Sequence, residues 1–160
     1  MQQQEEFIQL IQECEPMIHK VCYLYADESD DRKDLFQEIV MQVWIAIPKF
    51  KGLSKQSTWL YRIALNTALA HQKKRKRFEF WKKESPRENI FTEPEYHEEI
   101  KVFYKMITIL PALEKALVLL YLEDYSYKEI AEVIGISESN VGTRLSRIKE
   151  KLKKQASSYI

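Results

Sequence analysis

Ser139, Asn140, Thr143, Arg144 and Arg147 are spaced by one, three, one and three residues, so a helix carries all five on one face. These are side chains that read nucleic acid. Arginine binds guanine bidentately, asparagine binds adenine, and hydroxyls bond to either edge. Lys149, Lys151, Lys153 and Lys154 follow on the same stretch and suit phosphates. A solvated basic face on an ordinary amphipathic helix is the plain alternative, and the surrounding residues decide between the two. Catalysis has less to work with. His19, His71 and His97 show no metal-ligand spacing, and Cys14 and Cys22 stand eight apart with no CxxC. There is no phosphate-cradling glycine loop, no paired-carboxylate cluster and no Ser/His or Cys/His set. No enzyme, cofactor or metal is expected.

The five residues need a helix held across another helix. Ser126 and Glu129 form a capping box that opens a short helix with Ile130, Ala131 and Ile134 on its inner side. Gly135 supplies a left-handed stop, Ile136 plugs the turn and Ser137 caps the next helix. That helix buries Val141, Leu145, Ile148 and Leu152, at steps of four, three and four. This is the grammar of a helix-turn-helix.

Upstream, apolar spacing predicts a helix over Phe7, Ile11, Cys14, Ile18, Val21 and Tyr25, with a kink or restart near Glu15 imposed by Pro16. After a polar break at Asp27 to Arg32, a second helix is expected from Lys33 to Ile47, then a loop from Lys49 to Gln56. A third helix starts near Ser57. Leu60, Ile63, Ala64 and Thr67 face one way, and Trp59, Arg62, Asn66 and Lys73 another. Period is lost from Trp81 to His97, where Pro86, Pro94 and many acids read as a linker. It resumes at Ile100. Leu110-Pro111 opens a helix whose expected core face is Leu113, Leu117, Leu120 and Tyr121.

The predicted class is therefore all-α, two small helical domains joined by a flexible linker, the C-terminal one a helix-turn-helix. The boundaries are 1–80, 81–97 and 98–160. With 3 glycines and 5 prolines in 160 residues, turn-rich barrels and sandwiches are excluded. The net charge of +1 hides an asymmetry. Residues 1–40 carry ten acids and three bases, residues 71–83 seven bases and one acid, and residues 144–154 six bases and one acid. Such blocks imply a protein partner for the acidic start and a polyanion for the basic stretches. No signal-peptide pattern opens the chain and its longest apolar run, Ala116 to Leu122, is too short for a bilayer. A cytoplasmic protein with reduced cysteines and no membrane insertion is expected.

Two stretches point to one family. Asp34-Leu35-Phe36-Gln37-Glu38 with Val43-Trp44 resembles the D-L-x-Q-E…V-W helix of the extracytoplasmic function (ECF, group-four) sigma factors. Phe50-Lys51-Gly52, then Thr58-Trp59-Leu60-Tyr61-Arg62-Ile63-Ala64 and Asn66, is similar to their F-R-G…T-W-L-Y-R-I-A-x-N segment. Leu110-Pro111, Tyr127, Glu129-Ile130-Ala131, Gly135-Ile136-Ser137, Val141 and Arg144-Leu145-Ser146-Arg147 match their helix-turn-helix.

The resemblance implies a subunit that binds core RNA polymerase, directs it to promoters and helps open the DNA. Asp34, Gln37, Glu38 and Trp44 would dock on the clamp helices of the polymerase's largest subunit. Lys51, Gly52, Trp59, Arg62, Asn66, His71, Lys73, Lys74 and Arg75 would engage the minus-ten element, where a base is flipped from the single strand. Ser139, Asn140, Thr143, Arg144, Arg147 and Lys151 would read the double-stranded minus-thirty-five element. An anti-sigma factor is an implied partner. Leu53, Lys55, Gln56, Ala70 and Gly142 depart from the family pattern, so base preference at both elements is this chain's own. Trp59 and Trp44 divide between packing and contact, His19 and His97 are expected to be incidental, and Phe78, Phe80 and Trp81 to tether the linker. An autonomous helix-turn-helix regulator is the alternative. It leaves the basic stretch Arg62 to Arg77 unexplained and lacks a dimerisation zipper.

Overall fold

The computed structural model describes residues 2–78 and 93–158. Among them regular structure is helical throughout: α1 Gln2–Tyr25, α2 Ser29–Ala46, a 3-10 turn Ile47–Lys49, α3 Gln56–Phe78, α4 Glu98–Thr108, α5 Ala112–Leu122, α6 Tyr127–Ile134 and α7 Glu138–Ser157. They fall into two compact units, Met1–Glu95 and Tyr96–Ile160. The expected linker lies mostly outside the described residues, as do Phe80 and Trp81 and the side chains of Arg75 and Phe78.

In the first unit α1, α2 and α3 pack mutually around one core. Ile18, Val21, Leu35, Ile39, Val43, Leu60 and Ala64 are fully shielded there, at helical spacing on each element. Two expectations change. α1 runs through Pro16 without a restart at Glu15. An interior proline forfeits one backbone bond and costs about 3 kcal/mol, but Cys14, Met17 and Ile18 on either side are buried, and their packing holds the helix together. The break is shorter than the polar run: Asp27 and Glu28 lie in it, whereas Ser29 to Arg32 form the first turn of α2. Asp30 and Asp31 there sit at the positive end of the helix dipole, which favours acids in a first turn.

In the second unit α5 is buried over Lys115 to Leu120 and packs against α6 and α7, while α4 lies against α5. The expected core face of α5 needs correction. Leu117 and Leu120 are buried, but Tyr121 is 38% exposed and Leu113 only half-buried, because Ala116, Val118 and Leu119 take the interior. The helix-turn-helix forms as its residues require. The Ser126 hydroxyl accepts from the Glu129 amide at 3.1 Å and the Glu129 carboxylate accepts from the Ser126 amide at 3.1 Å. Gly135 sits at φ +84°, a left-handed stop that costs glycine least. Ser137 then caps α7 by accepting from Asn140 N–H.

Candidate nucleic-acid interface

On α7 the burial of Val141, Leu145 and Ile148 against α5 and α6 turns the opposite face outward. Ser139, Thr143, Arg147 and Lys151 are exposed there, and Asn140 and Arg144 half-exposed. The last two are linked: Arg144 Nε donates to Asn140 Oδ1 at 3.1 Å. Asparagine thus aims the guanidinium while keeping its own amide N–H donors. Ser137 and Ser139 hydroxyls lie 3.4 Å apart beside the exposed N-terminus of α7, where helix amides favour anions.

The lysines divide. Lys153 and Lys154 are exposed, whereas Lys151 reaches Glu114 at 3.5 Å and Lys149 donates to the Tyr121 hydroxyl at 3.1 Å, lying over its ring. The hydrogen bond that the Lys149 ammonium donates to Tyr121 holds it above its ordinary pKa. Sequence reading missed this pair because α5 and α7 meet only through tertiary packing. A Cβ on Gly142 would meet the Tyr127 ring at 3.5 Å, so this glycine faces the start of α6, not an open surface.

In the first unit α2 presents two faces. One holds an open apolar hollow lined by Phe7, Phe36, Gln37, Val40, Met41 and Trp44. Trp44 is 43% exposed, its ring edge-on to Phe7 with centroids 4.9 Å apart. It packs on one side and remains open on the other. Gln37 is exposed, Asp34 and Glu38 half-buried.

The other face meets α3 through a histidine. His71 Nδ1 lies 3.0 Å from Glu38 Oε2, and its Nε2 lies 3.0 Å from Asp31 Oδ1. Both ring nitrogens are thus engaged by carboxylates of α2. His71 is a brace between α2 and α3 and not the outward phosphate contact that its place in the basic run implied. Lys74, one turn on, approaches the same Glu38 at 3.9 Å. Glu38 therefore belongs to the brace as well as to the α2 surface.

Arg62, Asn66, Lys73 and Lys74 are exposed along α3, as are Lys51 and Gly52 in the loop before it. Trp59 is half-buried, its ring 5.0 Å from that of Phe50 across that loop. This tilted ring contact closes the loop between Phe50 and α3, with Gly52 at φ +74° and Leu53 91% exposed at its tip.

Comparison with known proteins bears on both units. Residues 10–78 match the family model for Sigma-70 region 2, and residues 100–152 match that for Sigma-70, region 4. The chain is 32% identical to the ECF RNA polymerase sigma-E factor of Escherichia coli strain K12, over 82% of this chain and 78% of that one. The chain belongs to the ECF sigma factors. It is also 26% identical to the ECF sigma factor SigW of Bacillus subtilis, over 95% of this chain and 89% of the relative. The fold is shared with the sigma factor RpoE of Bartonella quintana, solved in complex with the anti-sigma factor NepR. That likeness has a TM-score of 0.74 at 21% identity, over 94% of this chain and 96% of that one. Sigma factors direct RNA polymerase to promoters, and they are regulators rather than enzymes. No helix among the described residues is long and apolar enough to cross a membrane.

Proposed function

We propose that this ECF sigma factor divides promoter recognition among three surfaces, each on its own element. Residues 1–80 form the sigma-two-like domain, 98–160 the sigma-four-like domain, and 81–97 join them. The apolar hollow around Phe36, Met41 and Trp44, rimmed by Asp34, Gln37 and Glu38, receives the clamp helices of the polymerase. An exposed aromatic anchor with charged neighbours is the usual anatomy of a protein-binding hot spot. The rim charges set rate and register.

Lys51, Gly52, Trp59, Arg62, Asn66, Lys73, Lys74 and Arg75 take the minus-ten element, the loop between Phe50 and α3 forming the flipped-base pocket. Leu53 at its tip is the apolar group best placed to touch a base. Ser139, Asn140, Thr143, Arg144, Arg147 and Lys151 read the minus-thirty-five element. The observation that carries the reading is the α7 face, with Asn140 aiming Arg144 outward from a rigid, doubly capped helix-turn-helix. An anti-sigma factor acting on this chain in the cytoplasm is the regulator proposed, since the fold is shared with the RpoE that is held by NepR.

Run-off transcription with purified core polymerase tests the assignment. Discrete starts that need both components are expected, and substitution of both Asp34 and Glu38 should lower core affinity while leaving α4–α7 folded. A symmetric footprint made by this protein alone, without polymerase-dependent starts, would replace the assignment with that of an autonomous regulator.

A further inference from the structure

The first two turns of α7 set the hydrogen-bonding sense of Asn140. Arg144 Nε lies 3.1 Å from Asn140 Oδ1, one helical turn away. A guanidinium only donates, so the amide oxygen, and not the amide nitrogen, must face it. The helix holds both partners. The Asn140 backbone N–H donates to the Ser137 hydroxyl at 3.1 Å, and Val141 and Leu145, which follow the two residues in sequence, are buried. Both side chains are half-exposed, at the border of the open face. Among the described residues no partner takes the Nδ2 hydrogens of Asn140 or the Nη groups of Arg144. Oδ1 keeps a second lone pair, but a base amine approaching it would meet the cationic N–H groups already bonded beside it. Towards DNA the pair therefore presents donors.

We propose that Asn140 is a specificity-determining residue that selects a keto base, guanine before thymine, and rejects adenine, because Arg144 has taken its acceptor. This rests on the assignment of α7 to the minus-thirty-five element above. An asparagine left to itself pairs with adenine, its oxygen accepting from N6 and its nitrogen donating to N7. Asn140 has lost the first half of that contact. Guanine offers O6 and N7 side by side, two acceptors for the Nδ2 hydrogens, and thymine offers O4. Adenine sets its N6 donor beside N7, and cytosine shows only a donor. Arg144, with Nε committed, meets its own base end-on through the Nη groups, which suits the O6 and N7 of a guanine. The two side chains touch, so the base pairs they read are neighbours. Residue type alone points Asn140 to adenine, and its contact with Arg144 reverses the preference.

Selection by holoenzyme containing the full-length chain tests this. The probe is a pool of promoter fragments that keep a start site mapped by run-off transcription and carry a randomised upstream element. The retained fragments are sequenced. In the column that responds to Asn140→Ala, the unsubstituted chain should select guanine over adenine by roughly tenfold. Asn140→Asp suits the first turn of a helix and still accepts from Arg144 Nε, but it has no donor. Its column should turn to cytosine or adenine while the neighbouring guanine column persists. Added charge lowers affinity for every sequence, so the readout is the ratio of bases within a column. Arg144→Ala should flatten its own column and, by freeing Oδ1, move the Asn140 column towards adenine. Adenine selected there by the unsubstituted chain would overturn the inference, as would an Asn140 column that Asn140→Asp and Arg144→Ala leave unmoved. In both cases a column flattened by Arg147→Ala would keep the assignment of α7 standing. If no α7 substitution changed any column, that assignment would fall and the inference with it.

Discussion

Arg144 and Lys151 separate two kinds of contact within one helix face. Arg144 is aimed by Asn140 and suits a base edge, whereas Lys151 is an exposed cation paired with Glu114. Arg144→Ala is expected to cost about 1–3 kcal/mol in promoter binding and to relax specificity at one base pair. Lys151→Ala should weaken all sequences alike and lower the salt slope by about 1. Binding titrations across base-pair variants and salt concentrations check both. A second residue-scale expectation concerns Cys22. Burial pushes its thiol from 9.0 up to about 12. A group raised on folding stabilises fully below its unfolded pKa and loses that contribution as pH rises through the folded value. The first unit should therefore weaken between pH 9 and 12, and Cys22→Ala should flatten that part of the stability profile. Native Cys22 should also resist alkylation near pH 8 and react promptly once the unit is unfolded in denaturant.

At the scale of elements, two glycines beside α7 make opposite predictions. Gly135 ends α6 at φ +84°, where an L side chain is strained, so Gly135→Ala should destabilise the second unit by about 1–2 kcal/mol. Gly142 is helical, and an added Cβ would make only ordinary contact with Tyr127. Gly142→Ala should stabilise the unit by about 0.5–1 kcal/mol, the helix-propensity difference. Urea unfolding of the two variants reads the signs directly. These positions were legible in advance to different degrees. Gly135 follows an apolar run and precedes a capping serine, so its role is written locally. The neighbour of Gly142 is fifteen residues away, across a packed turn, and no local pattern names it. His71 shows the same limit. In sequence it belongs to a basic run, and only the packing of α3 on α2 places it between Asp31 and Glu38.

For the whole molecule, the two DNA surfaces proposed on separate units would give weak binding unless something holds them at the promoter spacing. The isolated protein should therefore bind promoter DNA poorly and with little sequence preference. In the holoenzyme the second contact becomes effectively intramolecular, and affinity should rise by orders of magnitude. Footprinting with and without core polymerase at one salt concentration measures the difference. Tight specific binding by the free chain would contradict this expectation.

By itself the sequence determined the all-helical class, the helix-turn-helix with both its caps, the outward face of α7 and the family. Each of these rests on residues within a few turns of one another, where periodicity and capping chemistry act without help. Tertiary structure decided the rest. It carried α1 through Pro16, turned Tyr121 outward to Lys149 and made His71 a brace. It also brought the Glu93 carboxylate to the Arg32 guanidinium, which donates to it. Each of these outcomes depends on a partner far away in sequence. Whether such groups meet is a matter of packing between elements, which no local spacing encodes.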